Sequence, residues 1–212
     1  TGAYRDTYDA LMVHYPKLKL NISKWWIRFE DPEVKRICIE NWDKDGDGEL
    51  SMEEAAAVSS IGTVHIPSGK KFNELQYFKG WYPREWVTND VVLFDDAIGE
   101  VTIPQHITQV GLGWKIVFKS TTQAHRNIVI RFLGEMKEIG YWSITDDKKL
   151  RGEYFSLLLP NTHVPPTFDY HWVGETYRAC RTLYVPDDCV EAYKAAKIQD
   201  VREILPISEY HG

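Results

Sequence analysis

Between residues 43 and 54 the chain sets acids on alternating positions: Asp43, Asp45, Asp47 and Glu49, with Gly48 in the middle and Glu54 closing the stretch. Carboxylates at this spacing can turn their oxygens into one shared space, and a glycine in mid-stretch lets the backbone bend sharply. Such a donor set suits a hard divalent cation, which takes about six to eight oxygens at flexible distances. Asp43, Asp45 and Asp47 would supply side-chain oxygens and Glu49 its backbone carbonyl. Ser51 would act through a water, and Glu54 would bind with both carboxylate oxygens. The expected ion is Ca2+, because Mg2+ demands tighter octahedral geometry. Leu50 is the apolar residue expected to tuck into the core beside the loop.

These residues fill every diagnostic position of the EF-hand loop pattern. An accidental match in a chain of ordinary composition and this length is expected on the order of once in a thousand or less. No second loop is legible. The pairs Asp95-Asp96, Asp146-Asp147 and Asp187-Asp188 lack the alternating spacing and the closing Glu. Sensor EF-hands usually work in pairs, so a lone loop reads as a structural calcium clip. A dockerin-like module, which carries two loops, ranks last.

The elements around the loop read as helices. Asp31-Pro32 is a helix start, with Asp as N-cap and Pro at the first helical position. Val34, Ile37, Cys38 and Trp42 would line one face of the helix that follows. Ser51 and Glu54 form a capping box for the next helix, which runs into Ala55-Ala56-Ala57. Upstream, Tyr8, Leu11, Met12 and Tyr15 recur at helical spacing before Pro16, and Trp25, Trp26, Ile27 and Phe29 form a short β-like run. Residues 1–61 are therefore expected to be a helical region carrying the calcium loop, and residues 62–212 a β-rich domain.

In the second part four runs resemble one another: Val101-Thr-Ile-Pro104, Ile128-Val-Ile-Arg131, Leu157-Leu-Leu-Pro160 and Leu183-Tyr-Val-Pro186. Their starts lie 27, 29 and 26 positions apart. A strand recurring at this interval is what stacked repeats require, because each unit buries its apolar edge only against its neighbours.

Composition limits the function classes. A chain of 212 residues that is 43% hydrophobic and 13% aromatic can bury a sizeable core and does not read as disordered. Of the net charge of −6, the acidic loop alone carries −5, from six acids and Lys44. No basic stripe is left to neutralise phosphates, so nucleic acid is not an expected partner. No apolar run approaches the roughly 20 residues of a membrane span. Three cysteines, Cys38, Cys180 and Cys189, are too few for a disulfide framework. Cys38 is expected to be buried, and the pairing of Cys180 with Cys189 is left open. The opening Thr1-Gly-Ala-Tyr4, without Met, fits a trimmed mature segment.

The stretch from Phe29 through Glu30-Asp-Pro-Glu-Val34 and the calcium loop to Val58 resembles the N-terminal part of BspA-like leucine-rich-repeat proteins of Bacteroides and relatives. Phe72-Asn-Glu-Leu-Gln-Tyr-Phe78 is similar to the segment leading into their first repeats, and Val101 to Gly111 to one repeat. Leu183-Tyr-Val-Pro-Asp-Asp-Cys-Val-Glu-Ala-Tyr-Lys-Ala-Ala196 resembles their closing unit. The resemblance implies an exported, cell-surface or secreted bacterial protein, often a lipoprotein anchored upstream of residue 1. Such a protein acts in adhesion by binding a host or bacterial surface protein or glycan, and it is not an enzyme. It carries over no functional residue beyond the calcium loop.

The rival readings are weaker in the residues themselves. Cys180 or Cys189 with His163 or His171 and Asp169 would be the material of a thiol hydrolase, but no nucleophile motif surrounds either cysteine. His163, Asp169 and His171 match no common zinc spacing. Trp81, Tyr82, Trp86, Tyr170 and Trp172 would serve as stacking platforms for carbohydrate if exposed, or as fillers between irregular repeats. The expected architecture is α+β, a helical EF-hand-like N-terminal part capping a β-rich, degenerate leucine-rich-repeat solenoid. The expected function is calcium-stabilised, non-catalytic binding outside a bacterial cell.

Overall fold

The computed structural model describes residues 25–82, 90–95, 98–110, 114–118, 127–140, 143–146, 155–168 and 180–212. The helical spacing around Tyr8 to Tyr15 lies outside them.

Two helices flank the acidic loop. Helix α1 spans Pro32–Trp42 and starts where Asp31 Oδ1 accepts from the amides of Glu33 (2.9 Å) and Val34 (3.3 Å). Helix α2 spans Met52–Ala57, with the Ser51–Glu54 capping box formed in both directions. Val34, Ile37, Cys38 and Trp42 are all buried on one face of α1. The run Trp25 to Phe29 makes only a single antiparallel bridge, Trp26 to Ser51, and no strand.

The chain then coils. Its first turn contributes β1 (Thr63–Ile66) and β2 (Lys71–Phe72). The second contributes β3 (Asp90–Phe94), β4 (Ile98–Ile103) and β5 (Gln109–Val110). The third contributes β6 (Trp114–Phe118), β7 (Asn127–Phe132) and β8 (Glu138–Ile139). The fourth contributes β9 (Ser143–Asp146), β10 (Phe155–Leu158) and β11 (Thr167–Phe168). Two further strands follow, β12 (Cys180–Val185) and β13 (Val201–Pro206), separated by helix α3 (Val190–Ala195). The strands assemble into sheets ordered β1-β3-β6-β9, β13-β12-β10-β7-β4-β2 and β11-β8-β5. The chain thus visits three sheets in rotation, and every strand ladder is parallel.

The register explains the spacing of the four similar runs. Val101 pairs with Ile130, Ile130 with Leu157, and Leu157 with Leu183. All four are fully buried in one column, continued upward by Phe72 opposite Val101. Each such side chain contributes roughly 1.5–3 kcal/mol on leaving water. Only stacking of neighbouring turns can bury them.

The expected α+β organisation, a helical EF-hand-like part capping a leucine-rich-repeat solenoid, is corrected by this structure. The molecule is α/β with mostly parallel sheets and three helices among the described residues. The reason lies in the turns, the middle three of which supply a strand to each of three sheets. The N-terminal helices likewise do not form a separate lid. Trp42 of α1 packs edge-on against Phe78 at 4.8 Å and parallel to Phe72 at 6.3 Å, so its face enters the same apolar core as the strands. No helix among the described residues is long and apolar enough to cross a membrane.

Candidate metal centre

The acidic loop is held at both ends by residues that face the core. Trp42, immediately before Asp43, is packed against Phe72 and Phe78, and Leu50 is wholly buried. Between these anchors the backbone wraps around its own carboxylates. Asp43 Oδ1 accepts from Gly46 N at 2.8 Å and Oδ2 from Gly48 N at 2.9 Å. Asp45 Oδ1 accepts from Asp47 N at 3.2 Å, and Asp47 Oδ1 from Glu49 N at 2.9 Å. Gly48 has φ +81°, a conformation that costs a residue with a Cβ about 1 kcal/mol or more. This turning brings one carboxylate oxygen from each of Asp43, Asp45 and Asp47 within 4.8 Å of the others.

Glu54 comes back over the loop from the first turn of α2. Its Oε1 accepts from Lys44 N at 3.0 Å, and its Oε2 from Ser51 N at 2.9 Å and Ser51 Oγ at 2.7 Å. Glu49 turns its side chain outward to Lys35 Nζ at 2.5 Å, which leaves its backbone carbonyl as the group it could offer an ion. Ser51 is buried and spends its hydroxyl on the cap. So the three aspartates converge, while both Glu54 oxygens are engaged by the amides of Lys44 and Ser51 and by the Ser51 hydroxyl.

A segment of the same chain closes the back of the loop. Ile27 N donates to Leu50 O at 2.8 Å and Met52 N donates to Trp25 O at 2.6 Å. Those main-chain groups are therefore engaged within the chain. Helix α1 is tied on its far side by Lys70 Nζ, 2.6 Å from Asp31 Oδ2. That ammonium holds the Asp31 carboxyl below its ordinary range.

The other sequence candidates separate. Cys180 is completely buried, and burial pushes its thiol far up. Cys38 is buried as expected, and all three cysteines are free thiols, so Cys180 and Cys189 are not bridged. Cys189 Sγ does lie 3.8 Å from His163 Nδ1. Burial, and then the hydrogen bond to Asp188, raise that thiol's pKa, the opposite of nucleophile activation. Asp169 and His171 lie outside the described residues, as do Trp86, Tyr170 and Trp172. Trp81 is wholly buried and no stacking platform, whereas Tyr82 is exposed.

The sequence motifs do not mark a further polar surface. On the face of the six-stranded sheet opposite the buried column, Glu100 is sandwiched between Lys71 Nζ (3.1 Å) and Arg131 Nη2 (3.4 Å). The Arg131 guanidinium lies 5.4 Å from the centroid of the Tyr210 ring, and that ring meets Tyr184 edge-on at 5.2 Å. A polar cavity of about 350 Å³ opens there, lined by Asn73, Thr102, Arg131 and Tyr210 among others. Alternation along the recurring strands was the available signal, since Glu100, Thr102 and Arg131 flank the buried positions.

No family model, curated protein or solved structure matches this chain.

Proposed function

We propose that this chain is a calcium-stabilised, non-catalytic binding protein of the extracellular space or outer cell surface of a bacterium. The observation that carries the calcium part is the convergence of Asp43, Asp45 and Asp47 within 4.8 Å, with the Glu54 carboxylate bonded to the Lys44 amide inside the same loop. The loop acts as a structural clip: Trp42 and Leu50 root its two ends in the core, and Trp25–Ile27 bonds its back edge. Binding there tightens the junction between helices and strands and does not open a groove.

The extracellular setting and the adhesive role draw their support from the resemblance of Phe29–Val58 and Leu183–Ala196 to BspA-like proteins. The partner is a host or bacterial surface protein or glycan, received on the polar face around Glu100, Arg131 and Tyr210. A protein partner is the better fit there, because the face mixes charges with tyrosines and the buried Trp81 offers no sugar platform.

The test is a calorimetric calcium titration of chelator-stripped protein beside Glu54→Gln, with melting temperature followed in parallel. The expected result is one ion per chain, a higher melting temperature with calcium, and loss of both in the variant. At a hundredfold excess over Kd the stabilisation would be about 2.7 kcal/mol. Absence of both heat and thermal shift overturns the reading.

A further inference from the structure

Strands β10 and β12 are parallel neighbours, so the loops leaving their carboxyl ends emerge side by side. These loops bring together three donors of different kind. Cys189 Sγ lies 3.8 Å from His163 Nδ1 and 3.4 Å from Asp188 Oδ1, and the His163 and Asp188 atoms are 3.8 Å apart. A tetrahedral zinc ion, with bonds of about 2.3 Å to sulfur and about 2.0–2.2 Å to nitrogen and oxygen, holds its ligand atoms about 3.3–3.6 Å from one another. The three separations agree with those edges to within about half an ångström.

We propose that His163 Nδ1, Asp188 Oδ1 and Cys189 Sγ form a three-ligand site for a borderline divalent transition-metal ion, zinc first, with a fourth position open to water. The site is separate from the acidic loop and shares no residue with it.

The backbone under each ligand is fixed. Beside His163, Thr162 is fully buried: its Oγ1 accepts from Met136 N at 3.0 Å, and its carbonyl accepts from the Tyr193 hydroxyl at 2.8 Å. On the other wall, Cys189 N donates to Pro186 O at 2.9 Å, and Asp187 Oδ1 accepts from Ser208 N at 3.1 Å. Closure on an ion therefore asks only for side-chain rotation. Charge balances as well, since a thiolate and a carboxylate cancel the ion's two positive charges and the imidazole binds neutral. Sulfur and imidazole donors select against calcium and magnesium, which prefer all-oxygen sites.

The experiment uses chelator-stripped full chain with the acidic loop saturated by calcium. Cobalt is added as a spectroscopic probe, and zinc affinity is then measured by competition with a chromophoric chelator. The expected result is one cobalt per chain, with a near-ultraviolet thiolate-to-metal band and strong visible bands of tetrahedral geometry. Cys189→Ser should abolish the thiolate band. His163→Ala, at an exposed position whose metal-free melting temperature should not change, should weaken zinc by more than the roughly 10- to 100-fold typical of a lost outer-shell partner. Cys38 and Cys180, both wholly buried, remain in every variant as internal controls. The proposal is overturned by absence of a thiolate band, by a band that survives Cys189→Ser, or by equal zinc affinity in wild type and His163→Ala. None of these outcomes depends on Glu54 or on calcium binding, so this proposal and the calcium reading fail separately.

Discussion

Trp81 and Asp90 are joined by a hydrogen bond of 2.8 Å from the indole Nε1 to Oδ2, with both residues out of contact with water. The other oxygen of Asp90 accepts from Ser60 Oγ (2.7 Å), Ile61 N (3.0 Å) and Gly62 N (2.9 Å). One buried carboxylate therefore fastens the entry to β1, the start of β3 and the segment after the first turn. Asp90→Asn keeps one acceptor and turns an NH2 group toward donors, leaving at least one of them unpaired. It should lower stability by about 2–4 kcal/mol, read as a fall in urea midpoint at constant slope.

Asp31 caps α1 and pairs with Lys70, and its carboxyl titrates below the ordinary value of 3.8. A depressed folded pKa means that the contribution is present above about pH 4 and is lost as pH falls through the folded value. Asp31→Ala should cost about 1 kcal/mol near neutral pH. The gap between wild type and variant should narrow in urea melts as pH falls below 3.8 and through the folded value. Asn, which can still cap, should recover much of the loss at neutral pH.

Glu54 serves the helix cap and the acidic loop through the same carboxylate. Glutamine keeps an amide oxygen for Ser51 N but turns its NH2 toward the Lys44 amide, at a partly exposed position, so metal-free Glu54→Gln should cost about 0.5–1 kcal/mol. Glu54→Ala breaks the capping box and should cost about 1 kcal/mol without any metal. Only the calcium-dependent rise in melting temperature should vanish in both. Equal calcium responses in wild type and Glu54→Gln would sink the assignment of Glu54 as a ligand.

Gly134 sits where two turns of the coil touch. A Cβ there would lie 2.0 Å from the Ile107 carbonyl oxygen and 2.9 Å from that of Gln105. The turns cannot part to admit it, because Leu133 N bonds Ile103 O at 3.2 Å and Lys137 N bonds Thr108 O at 2.7 Å on either side. Gly134→Ala should destabilise by roughly 2–4 kcal/mol in urea melts.

What could be seen in the residues was local. Asp31-Pro32, the Ser51–Glu54 box, Leu50 and the buried face of α1 follow from side chains acting within a few positions of themselves. The three-sheet rotation did not show, because Gln109–Val110 and Glu138–Ile139 are two residues long and carry no period. Their partners lie in the next turn of chain. Trp81 reads as a platform in the sequence because its buried partner, Asp90, is supplied by that next turn. The nearness of His163 and Cys189 was equally hidden, although their separation of 26 positions matches the recurrence of the strands that carry them.

The two ends of the six-stranded sheet differ from its middle. At one end β2 is only two residues long, and at the other β13 carries exposed Arg202 and Glu203 and finishes at Pro206, which has no amide hydrogen to offer. Parallel strands in register are the raw material of fibrils, and an unguarded border would recruit further copies without limit. The brevity of one border and the charge and proline of the other are features that guard a sheet edge against such pairing.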